Sequence, residues 1–212
     1  MPFRGILQHM STELALKPVY WKRMAEGIED VKNRLVRAAS ALAKVGVPYA
    51  VVGGNAVAAW VSRVDASAVR NTRDVDILLR REDMERARTA LEGAGFVHPR
   101  IASLGKAAAM DVFLDGPDAK VRDAVHVLWA GEKAVPDAIE ASPELRETEH
   151  GDGFELIPLE DLLRMKLTSF RDKDRMHLRD LAGVGLVDES WIPCFPAALS
   201  ERLRAILDDP EG

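Results

Sequence analysis

Asp74 and Asp76 stand one residue apart in RNTRDVDILL (70 to 79), a stretch whose apolar residues otherwise read as a β-strand. Alternate side chains of a strand point to opposite faces, so Asp74, Asp76 and Leu78 share one side and Val75, Ile77 and Leu79 the other. Two ionised carboxylates so placed disfavour each other's charge unless a cation or a donor lies between them. A hard divalent ion meets that need, since Mg²⁺ takes oxygen ligands and is commonly held by one or two carboxylates plus substrate phosphates. A solvated strand end whose acids pair with Arg70, Arg73 or Arg80 meets it equally, and D-x-D alone does not choose between the two.

A second chemical feature precedes it by about twenty residues, in VVGGNAVAAW. Gly53 and Gly54 end the apolar run PYAVV and open a helical pattern. Backbone N–H groups at a helix start lack partners and the helix dipole favours an anion there, while glycine lets a phosphate approach the backbone closely. A tight strand-to-helix turn also uses G-G. The tandem is what discriminates: a phosphate cradle at one strand end, then metal-type carboxylates on the next strand. Arg70 and Arg73 flank the acids, either to neutralise phosphate charge or to balance the carboxylates. Further along, Lys166 borders the apolar stripe Leu159, Leu162, Leu163, Leu167 and Phe170, where a lysine either snorkels or binds phosphate. Asp174 either continues that stripe or caps a second helix starting near Arg175.

The elements that must position these residues follow from periodicity. Residues 1 to 30 read as an arm or a short helix around Trp21. Val31, Leu35, Ala38, Leu42 and Val45 recur at helical steps until Gly46 and Pro48 stop them. PYAVVGG is a short buried strand, NAVAAWVSR a helix capped by Asn55, and a helix capped by Asp83 follows the Asp74 strand. FVHPRI, AAMDVFLDG and DAVHVLW are extended, the last two joined as a hairpin by DGPDAK. Residues 137 to 161 hold nine acids and one basic residue, Arg146, and read as a connector before the long helical run from Leu159. Three parts result: residues 1 to 30, a core over 31 to 136, and an acidic connector with a helical C-terminal part over 137 to 212. The fold class is α/β (α+β), a small mixed sheet flanked by helices with a C-terminal helical subdomain.

The 212-residue chain, 47% hydrophobic and 30% charged, is long enough to bury a full core. A net charge of -5 argues against a general nucleic-acid coat. One cysteine, Cys194, rules out an internal disulfide framework and fits a reducing, cytoplasmic setting. No apolar run approaches a membrane span. His9, His98, His150 and His177 show no zinc-type spacing with one another or with Cys194.

VVGGNAVAAW followed by RNTRDVDILL resembles the nucleotidyltransferase superfamily that includes DNA polymerase β. Within it, the likeness is to the AbiEii toxins of type IV toxin–antitoxin systems and to small antibiotic-modifying enzymes. PLEDLLRMKLTSFRDKD is similar to the lysine-bearing helix of the AbiEii-like group. The resemblance implies nucleoside monophosphate transfer from an NTP to a hydroxyl on RNA, protein or a small molecule, with an antitoxin as a further partner. It assigns Gly53 and Gly54, with Asn55 beside them, to the nucleotide, favours a phosphate-binding role for Lys166, and gives Asp74 and Asp76 to Mg²⁺ or Mn²⁺; Arg70 and Arg73, flanking this site, are nucleotide-binding candidates by their charge alone. Active members place a third acid on a later strand. The matching segment DAVHVLWAG holds His126, which serves as a general base near neutral pH but suits Mg²⁺ poorly. Asp111, on the neighbouring strand, is the alternative third ligand. A catalytically impaired protein that binds a nucleotide or a partner is the competing expectation.

Overall fold

The computed structural model describes residues 18–99, 110–121 and 123–212, with side chains described from residue 21 onward. The amphipathic stripe read from Val31 belongs to a longer helix, α1 (Pro18–Lys44). Trp21, Met24 and Ile28 continue it at helical spacing, but they are solvent-exposed and the segment between them is charged, so this half of the helix carries no buried stripe. The helix therefore runs through the boundary expected at residue 30. Residues 1–17 lie outside the described residues.

Six strands form one mixed sheet: β1 (Ala50–Val52), β2 (Val75–Leu79), β3 (Met110–Leu114), β4 (Ala124–Trp129), β5 (Glu149–His150) and β6 (Glu155–Leu156). Their spatial order is β3-β4-β2-β1-β6-β5. β2 runs antiparallel to β1 and parallel to β4, and β3 closes one edge as the expected hairpin with β4. Of the third extended segment, Val97 makes only an isolated bridge to Leu114, and its last two residues are not among those described. The acidic connector is partly structural: β5 and β6 form a hairpin, and β6 pairs parallel with β1. Two-residue strands leave too short an alternation for the sequence to show.

Helices cover both faces. On one, α1 and α3 (Met84–Gly93) bury Leu35, Ala38, Leu42, Ala87 and Leu91 against Val75, Ile77, Leu79, Val125 and Val127. On the other, α2 (Gly53–Ser62), α4 (Leu159–Ser169), α5 (Asp172–Gly183) and α6 (Ala197–Asp208) bury Leu162, Leu163, Leu167, Leu178, Leu181, Leu199 and Leu203 against Val52, Leu78 and Leu156. Each such leucine contributes about 1.5–3 kcal/mol by leaving water. The alternation expected of RNTRDVDILL is thus realised, with Leu78 in one core and Val75, Ile77 and Leu79 in the other.

Three helix starts differ from expectation. α2 begins at Gly53 after Val52, so Asn55 lies in its first turn and is not its cap. A single 3₁₀ turn, Arg81–Asp83, leads into α3, and Asp83 accepts from Arg86 instead of capping the backbone. The long C-terminal helical run breaks at Phe170, which adopts a left-handed conformation. α5 then starts at Asp172, with Asp174 accepting from the Arg171 N–H in a capping box, three residues earlier than the sequence indicates. Among the described residues, no helix is long and apolar enough to cross a membrane.

Candidate active site

The diglycine and Asp76 meet because the β1/β2 ladder pairs Val52 with Asp76. Gly53, one residue further, has a φ of +68°, a conformation that L side chains rarely adopt. A Cβ built there would overlap Oδ2 of Asp76 and stand 2.8 Å from its Cγ. On Gly54 it would lie 2.8 Å from Oγ1 of Thr72. The two glycines are therefore required by close approach, and they bring the first turn of α2 against the acidic strand end. Unpartnered N–H groups and a carboxylate at one point make an attractive seat for a metal–phosphate pair and a poor one for an anion alone.

The backbone leading into β2 is tied down from two sides. Asn55 Nδ2 donates to the Asp74 carbonyl at 2.7 Å, and buried Arg34 donates through Nη1 to the Arg73 carbonyl at 3.1 Å. Asn55 thus orients the metal-type strand and does not cap α2. Neither Arg70 nor Arg80 balances the acids. Arg70 Nε donates to Asp180 Oδ1 at 2.8 Å and Arg80 donates to the Leu145 carbonyl at 2.6 Å. Among the described residues, the Arg73 side chain has no hydrogen-bond or ion-pair partner. It is exposed beside the strand end.

The carboxylates have other partners. Asp74 Oδ2 accepts from Lys173 Nζ at 3.3 Å, a half-exposed pair of the kind worth about 0–1 kcal/mol and easily exchanged for another cation. Asp76 lies opposite His126 across the β2/β4 ladder, with Oδ1 3.3 Å from Nδ1, while Nε2 of His126 donates to the Val121 carbonyl at 3.1 Å. The Asp76 hydrogen bond raises the His126 pKa above its ordinary value, against the opposing effect of burial. His126 therefore occupies the position beside Asp76 where the third acid was expected.

Asp111 does not. It pairs with Val127, whose side chain lies in the α1/α3 core, so it points to the sheet face opposite Asp76. Its Oδ1 is 2.7 Å from His98 Nε2 instead. The assignment of Asp111 to the metal fails on this one-residue register: Val112, not Asp111, is the neighbour of His126 on β3.

The opposite wall is built by α4 and α5. Lys166 is 6% exposed and donates to Asp174 Oδ1 at 3.0 Å; Asp174 is 1% exposed. Burial holds the Lys166 ammonium pKa below its ordinary value, against the opposing pull of the Asp174 and Asp76 carboxylates. Burial opposes ionisation of Asp174 too, but Lys166, Arg171 and Ser169 overcome it and hold the carboxyl at about 2. His177, one turn further along α5, is buried, its Nδ1 has no hydrogen-bond partner among the described residues, and burial with the Lys166 and Lys173 charges lowers its pKa to about 4. Lys173, Thr72, Arg34 and His177 were not singled out in the sequence. Lys173 was obscured because it follows the Phe170 break, where a continuous helical wheel puts it on the wrong face.

Oxygen donors from Asp74 and Asp76, a cradle shaped by Gly53 and cationic side chains opposite suit a divalent ion carried with a triphosphate. Among the described residues, no three His, Cys, Asp or Glu side chains form a finished metal cage. The ion's remaining ligands would have to come from substrate.

No family model matches the chain, and no curated protein matches it in sequence. Solved structures do. A protein from H. pylori described as a nucleotidyltransferase aligns with 14% identity over 87% of this chain and 78% of its own, at a TM-score of 0.52. JHP933 from Helicobacter pylori aligns with 17% identity over 89% and 76%, at 0.46. The antibiotic-resistance factor ANT(2'')-Ia aligns with 17% identity over 85% of each chain, at 0.38. The first likeness establishes the shared architecture: the chain has a nucleotidyltransferase-like fold, with its mixed sheet flanked by helices.

Proposed function

We propose that this protein transfers a nucleoside monophosphate from an NTP to a hydroxyl group and releases pyrophosphate. The acceptor oxygen bonds to the α-phosphorus as the bond from that phosphorus to the bridging oxygen of the β-phosphate breaks. The observation that carries this reading is the closure of Gly53 on Asp76, which joins a helix N-terminus to a metal-type carboxylate. Such transfer requires mostly positioning and charge neutralisation.

In this reading the first turn of α2 receives the phosphates through Gly53 and Gly54, and Arg73, without a partner among the described residues, offers its guanidinium at the strand end. Asp74 and Asp76 would hold Mg²⁺ or Mn²⁺, which supplies charge neutralisation at the phosphoryl oxygens and acidifies the attacking hydroxyl. Lys173 keeps Asp74 in place before substrate arrives and then turns to the phosphates. Lys166 adds positive potential from the buried pair with Asp174, and Arg70, fixed by Asp180, positions α5 against the β2 entry loop. A cleft of about 400 Å³ beside the cradle, lined by Val31, Asn55, Ala59, Arg70, Thr72 and Phe154 among others, gives an acceptor room.

The likeness of VVGGNAVAAW with RNTRDVDILL, and of PLEDLLRMKLTSFRDKD, to AbiEii proteins favours a toxin-like role with RNA or protein as acceptor and an antitoxin as partner. A catalytically impaired nucleotide-binding protein is the second reading, favoured by His126 in place of a third acid. Incubation with each α-labelled NTP, Mg²⁺ or Mn²⁺, and total RNA or protein tests the proposal. Label should appear in a polymer with wild type and not with Asp74→Ala. Tight NTP binding with no label on any acceptor would favour the second reading.

A further inference from the structure

We infer that the exposed half of α1, from Trp21 to Val31, is a docking surface for the same segment of a second copy of this chain, running antiparallel. The inference is independent of the nucleotide–metal reading.

Apolar residues recur in α1 at alternate steps of three and four, as Trp21, Met24, Ile28, Val31, Leu35 and Ala38. This is the spacing of a two-helix seam, the a and d positions of successive heptads. From Leu35 onward the row is buried against the sheet, whereas Trp21, Met24 and Ile28 are exposed by 56, 43 and 42%. Every residue from 21 to 30 is exposed, so about 15 Å of helix buries no side chain. A helical segment of that length has little stability of its own in water and gains it by packing its apolar face.

Gly27 bears on what covers that face. Glycine inside a helix is destabilising relative to alanine, and here a Cβ would meet nothing within 4 Å among the described residues, so contacts within the chain do not require it. A second helix at close range accounts for it. Ala25 and Gly27 flank the row on its two sides, and no bulky or charged side chain stands there between two approaching backbones. Flanking charges of the kind that select an unlike partner are therefore missing at the middle of the segment.

The charges further out favour a copy of the same segment and set its direction. Lys22 and Arg23 stand at one end, and Glu26, Glu29 and Asp30 toward the other. An antiparallel copy brings each end beside its opposite, whereas a parallel copy brings like beside like. In the antiparallel register Met24 packs on the partner's Ile28 and Trp21 on the partner's Val31, each a position meeting a d position. Ile28 and Val31 also line the cleft of about 400 Å³ beside the cradle, so the second copy completes its outer wall. The row is shorter than a standard interface of roughly 800 Å² per copy requires, which makes the association reversible, in the micromolar range or weaker.

The test is sedimentation equilibrium of the full chain from low micromolar to millimolar concentration. Wild type should show a monomer–dimer equilibrium, weakened at least about thirtyfold in Ile28→Asp, which puts a charge into the seam. Gly27→Gln fills space that is open in the single chain, so it should keep or raise the helical content in circular dichroism and still lose dimerisation. In a Cys194→Ser background oxidised with diamide, Ala25→Cys should give a disulfide-linked dimer, and Lys32→Cys, on the same flank one heptad further on, should not. A monomer at every concentration overturns the inference and leaves the face to residues 1–17 or to an unlike protein. Dimerisation undiminished in Ile28→Asp or in Gly27→Gln overturns it by placing the contact elsewhere. Equal cross-linking at both cysteine positions, or none at either, overturns the antiparallel pairing.

Discussion

Lowering the pH from 7 to 5 should destabilise the protein through His177, and the size of the effect follows from its burial. His177 is 4% exposed and packed near Lys166 and Lys173, so its folded-state pKa is about 4 against an ordinary 6.5. Between those values the unfolded chain binds a proton that the folded chain refuses. Stability therefore rises with pH across that window, and the contribution present at pH 7 is lost as the pH falls below 6.5, completing near 4. The full difference is roughly 3 kcal/mol, of which about 2 kcal/mol falls between pH 7 and pH 5. Asp174 does not confuse that interval, because a carboxyl held at about 2 changes its linkage only below its ordinary value near 4. Urea unfolding of wild type and His177→Gln at both pH values isolates the effect, since glutamine has no proton to take up. The wild type should lose about 2 kcal/mol more than the variant on acidification. Equal losses would refute the idea that His177 is kept neutral by burial and by the cations of α4 and α5.

Three further outcomes follow from the same geometry. Asp174→Ala leaves Lys166 buried without its partner and should cost about 3–5 kcal/mol in urea unfolding, whereas Lys166→Met should cost less because Asp174 keeps Arg171 at 2.9 Å; the reverse order would contradict the pairing. Gly53→Ala imposes about 1–2 kcal/mol of backbone strain and pushes a methyl group into Asp76, so NTP affinity measured by calorimetry should fall at least about tenfold. Asp111→Ala should leave metal and NTP binding within about twofold of wild type and cost no more than about 1 kcal/mol of stability, since its partner is His98 on the far face. A large loss of metal affinity in that variant would show the β3 register to be wrong.

Much of the site was legible because its signals are local. The alternation in RNTRDVDILL assigns each residue to a face, and the apolar residues around Gly53 and Gly54 mark the strand-to-helix turn. What those signals cannot reveal is register between strands. Asp111 and Val112 are equally plausible neighbours for His126 until β3 is paired with β4, and a shift of one residue exchanges the faces. Lys173 was hidden for a related reason. The left-handed Phe170 resets helical phase inside a run that looks continuous, so the partner of Asp74 falls on a second helix with its own wheel. β5 and β6 were missed because strands of two residues carry no periodicity, and their place beside β1 depends on a long-range parallel pairing. The exposed half of α1 has no core to mark it.

The most direct measurement of the central claim is calorimetric binding of a non-hydrolysable NTP analogue with and without Mn²⁺ or Mg²⁺, to wild type and to the Asp74→Asn/Asp76→Asn double variant. The expected result is binding by the wild type that requires the divalent ion, and none that responds to the ion in the double variant. Metal-dependent binding of equal strength in both proteins, or no binding by the wild type under any condition, would contradict the assignment of Gly53, Gly54, Asp74 and Asp76 to one nucleotide–metal site.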